Sequence, residues 1–183
     1  MDDEQRLIRR VQRSGDRAAA DALVRIYYDE IFGYVRKQTP SENDALDVTQ
    51  DTFIGVLRTI GRYDPKAASF RTWLYKVASN KLVDYYRSRA RVSLSEPLLL
   101  DEAEPIDETD FTRRIQDGDF ADRVCAFVGT LPPDTQRIFR LHIWGGQTFA
   151  GIASALEMPE GSVKSRYYRL INTLRKEFAD YGR

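Results

Sequence analysis

The stretch from Val92 to Asp119 constrains the fold more than any other part of this chain. Its 28 residues hold nine Asp and Glu against two arginines. Pro97 and Pro105 interrupt it, and its apolar residues fall in isolated clusters such as Leu98-Leu99-Leu100. A segment that repels itself and carries no periodic apolar stripe reads as a linker, extended or only partly ordered. The chain is therefore expected to divide into residues 1–91, an acidic linker 92–119, and residues 120–183. Overall the 28 Lys and Arg balance 28 Asp and Glu, but the balance is local. Residues 1–91 hold 17 bases and 13 acids, and residues 120–183 hold nine and six. Two mildly basic blocks flank an acidic one, so zero net charge does not exclude an anionic partner.

Strict apolar alternation is absent, so the expected fold class is all-α, with two small helical domains joined by the linker. The first block predicts four helices. One covers about Asp3 to Arg13 and stops before Gly15. The next, capped by Asp16, runs to about Lys37 and should bury Leu23, Ile26, Tyr27 and Tyr34. The third follows Pro40 with Ser41 as cap and Asp44 in its first turn. The fourth follows the loop 63–69 and continues to about Arg89. The second block predicts helices over Phe120–Gly129, Asp134–Trp144, Thr148–Glu157 and Glu160–Tyr181, with a tight turn at Met158-Pro159.

Several function classes find no support. No apolar run approaches the roughly 20 residues that span a bilayer. Met1-Asp2-Asp3-Glu4 is acidic where a secretory signal is basic and then apolar, so the expected compartment is the cytoplasm, without membrane insertion. Cys125 is the single cysteine, so it cannot form an internal disulfide or alone make a metal site. Its neighbours Val124, Ala126, Phe127 and Val128 predict a buried, inert thiol. His142, the single histidine, lies on an amphipathic helix and is expected to pack or meet solvent. There is no phosphate loop, nucleophile motif or metal cluster, so neither enzymatic activity nor a cofactor is expected.

Three helix faces carry chemistry. In the last hairpin, Phe149, Ile152, Ala153 and Leu156 form one stripe, and Val163, Tyr167, Leu170, Leu174 and Phe178 form another. The opposite side of the last helix collects Ser165, Tyr168, Arg169, Asn172 and Lys176, flanked by Lys164 and Arg166. Such a helix can enter a major groove, its N-terminal residues at base edges and its cations at phosphates. An ordinary amphipathic hairpin with a solvated basic face has the same pattern. On the fourth helix Leu74, Ala78, Leu82 and Tyr85 face a core, while Lys76, Asn80, Asp84, Arg87 and Arg91 face away, joined by Trp73. An amide, a row of cations and an aromatic beside a loop suit single-stranded DNA. Equally, Trp73 belongs to a core and the charges to a surface. On the third helix Ala45, Thr49, Phe53, Val56, Leu57 and Ile60 form the expected buried side. Asp44, Asp47, Asp51 and Ile54 gather opposite, with Gln50 at the edge, a pattern that fits either a protein docking face or a plain acidic surface.

Two segments resemble a known family. Residues 44–53 (DALDVTQDTF) and 70–87 (FRTWLYKVASNKLVDYYR) are similar to region 2 of extracytoplasmic-function sigma factors. Leu131-Pro132-Pro133, Gly151-Ile152-Ala153 and residues 159–166 (PEGSVKSR) resemble their region 4, in the family's order and spacing. The resemblance implies an alternative sigma factor that binds core RNA polymerase and promoter DNA and is held by an anti-sigma factor. It implies polymerase contacts at Asp47, Gln50, Asp51 and Ile54. It also implies minus-ten contacts at Trp73, Lys76, Asn80, Asp84 and Arg87, with residues 64–70 as the specificity loop. Ser162, Lys164, Ser165, Arg166, Tyr168 and Arg169 fall where the family meets the minus-thirty-five duplex. The linker matches the segment that threads polymerase toward the RNA exit path. Gly151 stands where many relatives have Glu, and Glu160 where a small apolar residue is usual, which bears on promoter sequence. A helix-turn-helix regulator without polymerase contacts would account for residues 130–183 alone.

Overall fold

The computed structural model describes residues 3–89, 112–113, 115 and 118–179. Among these the structure is helical, with no strand: α1 (Asp3–Ser14), α2 (Arg17–Arg36), α3 (Glu42–Thr59), α4 (Phe70–Arg89), α5 (Gly118–Gly129), α6 (Pro133–Ile143), α7 (Phe149–Leu156) and α8 (Glu160–Glu177). A 3-10 turn at Ile60–Arg62 follows α3. The all-α expectation is met. Most of the acidic linker lies outside the described residues, but Ile115, near its end, is helical and fully buried.

Local chemistry sets the helix ends. Gly15, at φ 61°, takes the left-handed turn that ends α1. Asp16 then caps α2, its Oδ1 accepting the Ala19 N–H at 3.0 Å while Arg10 reaches Oδ2 at 2.7 Å. The Ala19 N–H, with Arg10 behind it, holds the Asp16 carboxyl below its ordinary pKa. Ser41 Oγ accepts the Asp44 N–H at 3.1 Å and starts α3 as expected. Ser69 does the same for Thr72 at the head of α4. Thr148 lies one residue outside α7, as its cap rather than its first residue, accepting the Gly151 N–H at 3.1 Å.

Helix α4 lies at the centre of the first block, with Leu74, Ala78 and Leu82 fully buried. Gly55 on α3 admits it closely, since a Cβ there would lie 3.3 Å from Lys81 Cε. In the second block Ile138, Leu141, Ile152, Val163, Tyr167, Ile171 and Leu174 are buried where α6, α7 and α8 meet. The turn between α7 and α8 is made by Glu157 at φ 56°, with Met158 N–H on Ala153 O at 2.9 Å. Glycine is the usual residue in that conformation.

The two blocks do not keep separate cores. Helix α4 packs against α6, and also against α5 and α7, so the buried residues form one continuous cluster. Sequence periodicity did not anticipate this seam.

Candidate functional site

Helix α3 shows two sharply different sides. Ala45, Val48, Thr49, Thr52, Phe53 and Val56 are buried against α2 and α4. At about 100° per residue, Leu46, Leu57, Gln50, Ile54, Asp47 and Asp51 fall within roughly 140° on the outer side, and all six are exposed. Leu57, expected inside, is 38% exposed, and Ile26 on α2, also expected inside, is 56% exposed. Both corrections have one cause: the apolar stripe on each helix is wider than the face its neighbours cover. Tyr28, itself exposed, stacks on Phe53 at 6.0 Å and extends the apolar area beside α3. Carboxylates interleaved with uncovered aliphatic groups make this a face able to steer a basic partner and then desolvate against it.

On α4, Lys76, Arg87, Asn80, Trp73 and Asp84 fall within roughly 80° of one another around the axis. They lie on the side turned away from the buried stripe, at the edge of the α6 contact, where Asn80 Oδ1 accepts from Arg137 Nε at 2.6 Å. Asp84 and Arg87 are exposed and paired at 2.7 Å, while Lys76 and Asn80 are half-buried. Trp73 is also half-buried, packed 5.4 Å from Tyr63 and 5.6 Å from Phe70, so it serves both as core edge and as surface. The loop before α4 is braced from within. Gln12 Nε2 donates to Ile60 O at 2.8 Å and Tyr63 O at 3.1 Å, and the Tyr63 hydroxyl donates to Ala68 O at 3.1 Å. Sequence reading missed Gln12, because nothing local marks a side chain that ties α1 to a turn 48 residues away.

On α8, Ser162, Ser165, Arg166 and Arg169 share one outward arc of roughly 100°; Ser165 is half-buried and the other three are exposed. Lys164 and Tyr168 sit on its flank, and Tyr168 packs on Phe149 at 5.9 Å. Two cations are locally neutralised: Lys164 by Glu160 at 2.7 Å, and Arg166 by Asp134 at 3.5 Å. The hydrogen bond from Lys164 to Glu160 raises the ammonium pKa. Glu160 at the helix N-terminus is thereby offset by its own neighbour. The helix-turn-helix is stiffened by His142, stacked on Phe149 at 4.3 Å, with Nδ1 2.9 Å from Gln147 O. The histidine packs, as one of its two expectations had it.

Cys125 is buried, and burial pushes its thiol up to about 11, so a reactive thiolate is disfavoured. Among the described residues no group of His, Cys, Asp and Glu is arranged to hold a metal. No described helix is long and apolar enough to cross a membrane.

Comparison with known proteins places the chain in a family. Residues 23–92 match Sigma-70 region 2, and residues 126–174 match Sigma-70 region 4. The RNA polymerase sigma-H factor of Pseudomonas aeruginosa is 31% identical over 91% of this chain and 89% of its own length. The ECF RNA polymerase sigma-E factor of Haemophilus influenzae is 30% identical over 91% of this chain and 90% of its own length. In fold, the chain is similar to CnrH, solved in complex with the cytosolic domain of CnrY. That match has a TM-score of 0.64 at 23% identity and covers 99% of this chain and 100% of CnrH. With α3 and α4 inside the first matched region, and α7 and most of α8 inside the second, the chain belongs to the extracytoplasmic-function sigma factors of RNA polymerase.

Proposed function

We propose that the three faces divide the work of promoter-specific initiation. Asp47, Gln50, Asp51 and Ile54 dock on core RNA polymerase. Trp73, Lys76, Asn80, Asp84 and Arg87, with loop 64–70, read and hold the opened minus-ten strand. Ser162, Lys164, Ser165, Arg166, Tyr168 and Arg169 read the minus-thirty-five duplex. In this division residues 1–91 form the polymerase and minus-ten unit, 92–119 the acidic connection, and 120–183 the minus-thirty-five unit. The chain acts in the cytoplasm at the nucleoid, supplies no catalysis itself, and leaves nucleotide addition to the polymerase. Control by an anti-sigma protein is part of the same proposal, supported by the resemblance in fold to CnrH.

The observation that carries the reading is the α4 arc, where an amide, two cations and a half-buried tryptophan share one side of the helix beside a braced loop. Unstacked bases need hydrogen bonds to their edges and an aromatic surface, and this side offers both. The test uses a promoter mapped by run-off transcription. Arg169→Ala should lose roughly 1–3 kcal/mol on minus-thirty-five duplex if its contact is bidentate to a base, and less if it meets only phosphate. Asn80→Ala should leave that duplex binding intact and weaken holoenzyme on a pre-melted minus-ten fork. Equal weakening of one DNA form by both substitutions would refute the division.

A further inference from the structure

The first helix carries a charged face that none of the three surfaces above uses. Arg6, Arg9, Arg10 and Arg13 follow one another at i, i+3, i+4 and i+7. At about 100° per residue they share an arc of roughly 100°, turned away from the buried Ile8 and Val11. All four are exposed, and with Ser14 they line an open depression of about 320 Å³. Helix α1 stands before residue 23, where the match to Sigma-70 region 2 begins, so that match does not account for this face.

The face is held beside the loop that precedes α4. Gln12, roughly 60° around the axis from Arg9, donates to Ile60 O and Tyr63 O, and α1 packs on the 3-10 turn. Arg62 in that turn and Lys66 in the loop are exposed as well. The acids nearby do not cancel this run of cations. Glu4 lies on the core side, accepting the Tyr27 hydroxyl at 2.7 Å. Asp16 takes Nε and Nη2 of Arg10 at 3.0 and 2.7 Å, while its other oxygen caps α2. Asp3 pairs with Arg6 at 3.1 Å, but both side chains are largely in solvent, where such a pair is worth little and yields to a stronger anion.

Guanidinium groups in a row recognise phosphate oxygens through paired N–H donors. Nucleic acids and anionic membranes both present rows of phosphate. A helix lying in a membrane interface needs an apolar face to bury there, and that of α1 is already packed in the core, with Ile8 3% and Val11 8% exposed. The neighbouring loop, moreover, is the one assigned above to the opened minus-ten strand. We infer that the α1 arginine face is a phosphate track for promoter DNA. Led by Arg9 and Arg13, it grips the backbone of the strand at loop 64–70 whatever the base sequence. The inference rests on the proposed minus-ten role of that loop.

The test takes the full-length chain carrying Arg9→Gln and Arg13→Gln, assembled with core polymerase, on the pre-melted minus-ten fork of the mapped promoter across a salt series. Each single-strand phosphate contact contributes about 0.7 to the fall of log affinity with log salt. Losing two should lower that slope by about 1.4, a weakening of roughly 25-fold at about 0.1 M salt that fades toward about 1 M. The same factor should be lost on a fork with a scrambled minus-ten sequence. Arg9→Lys with Arg13→Lys should keep most of the affinity, since lysine also meets phosphate. A slope within about 0.5 of the parent's, or a loss confined to the native sequence, overturns the track. An equal loss of core affinity in competition overturns it too, by making the face a polymerase contact. Vesicles containing phosphatidylglycerol that bind the parent but not the variant, with fork binding unchanged, would assign the face to a lipid surface instead. Asn80→Ala on the same fork keeps the two ideas apart, since it should weaken the native sequence without lowering the slope. If Asn80→Ala has no effect while the arginine variant still loses slope, the minus-ten reading falls and the track remains a DNA contact.

Discussion

Two adjacent residues of α3 should fail in opposite ways when truncated. Phe53 is 8% exposed and stacks on Tyr28, whereas Ile54 is 42% exposed on the outer side. Ile54 therefore leaves roughly 80 Å² of apolar surface uncovered, worth about 2 kcal/mol if a partner buries it fully. Alanine retains the Cβ, so Ile54→Ala should forfeit about 1.5 kcal/mol of core binding, close to a tenfold rise in Kd. Its cost to folding should stay below about 1 kcal/mol, since the side chain is already largely in solvent. Phe53→Ala should instead cost about 3–5 kcal/mol of stability, a large share of what a small domain has. Competition against labelled parent protein for purified core polymerase reads the first quantity, and thermal melting reads the second. If Ile54→Ala competes within twofold of the parent, or melts as low as Phe53→Ala, the α3 docking face is refuted.

Reversing Asp47 and Asp51 to Lys should weaken core binding while leaving helicity and duplex binding unchanged, because both carboxylates are exposed and lie beside Ile54. Unaltered core affinity in the same competition would contradict it. For Cys125, burial raises the folded-state thiol to about 11 from an ordinary 9.0, so the folded chain holds that proton more tightly than the unfolded one. Its contribution is intact below about pH 9 and is lost as pH rises from there through about 11, a change of about 2–3 kcal/mol. Cys125→Ala should therefore lose less stability between pH 8 and pH 11 than the parent; parallel losses in thermal melts would refute the buried-thiol description.

Features governed by residues a few positions apart were readable from the sequence. Asp16 and Ser41 cap the helices they were expected to cap, because each needs only an N–H three residues on. The α7–α8 hairpin was equally legible from its two apolar stripes, although Glu157 in a left-handed conformation was not, since glycine usually marks that turn. Leu57 was misplaced by grouping it with the buried stripe. At about 100° per residue it falls between Phe53 and Gln50, at the outer edge of a stripe wider than the face its neighbours cover. The seam was illegible for a different reason. The Arg137–Asn80 and Arg140–Gln38 contacts join residues 57 and 102 positions apart, and an arginine buried with no carboxylate partner among the described residues leaves no periodic trace. Gln12 is hidden in the same way. The transcript-path role expected of the acidic linker falls on residues mostly outside the described ones.

Run-off transcription of fragmented genomic DNA, with purified core polymerase and with or without this protein, tests the assignment most directly. The protein should produce a discrete set of new RNA 5′ ends sharing one minus-ten and one minus-thirty-five sequence. Asn80→Ala and Arg169→Ala should each reduce those transcripts, and Ile54→Ala should reduce them in a way that excess protein restores. A 5′-end profile identical to that of core polymerase alone, with the protein folded and in excess, would contradict the claim that this chain directs promoter-specific initiation.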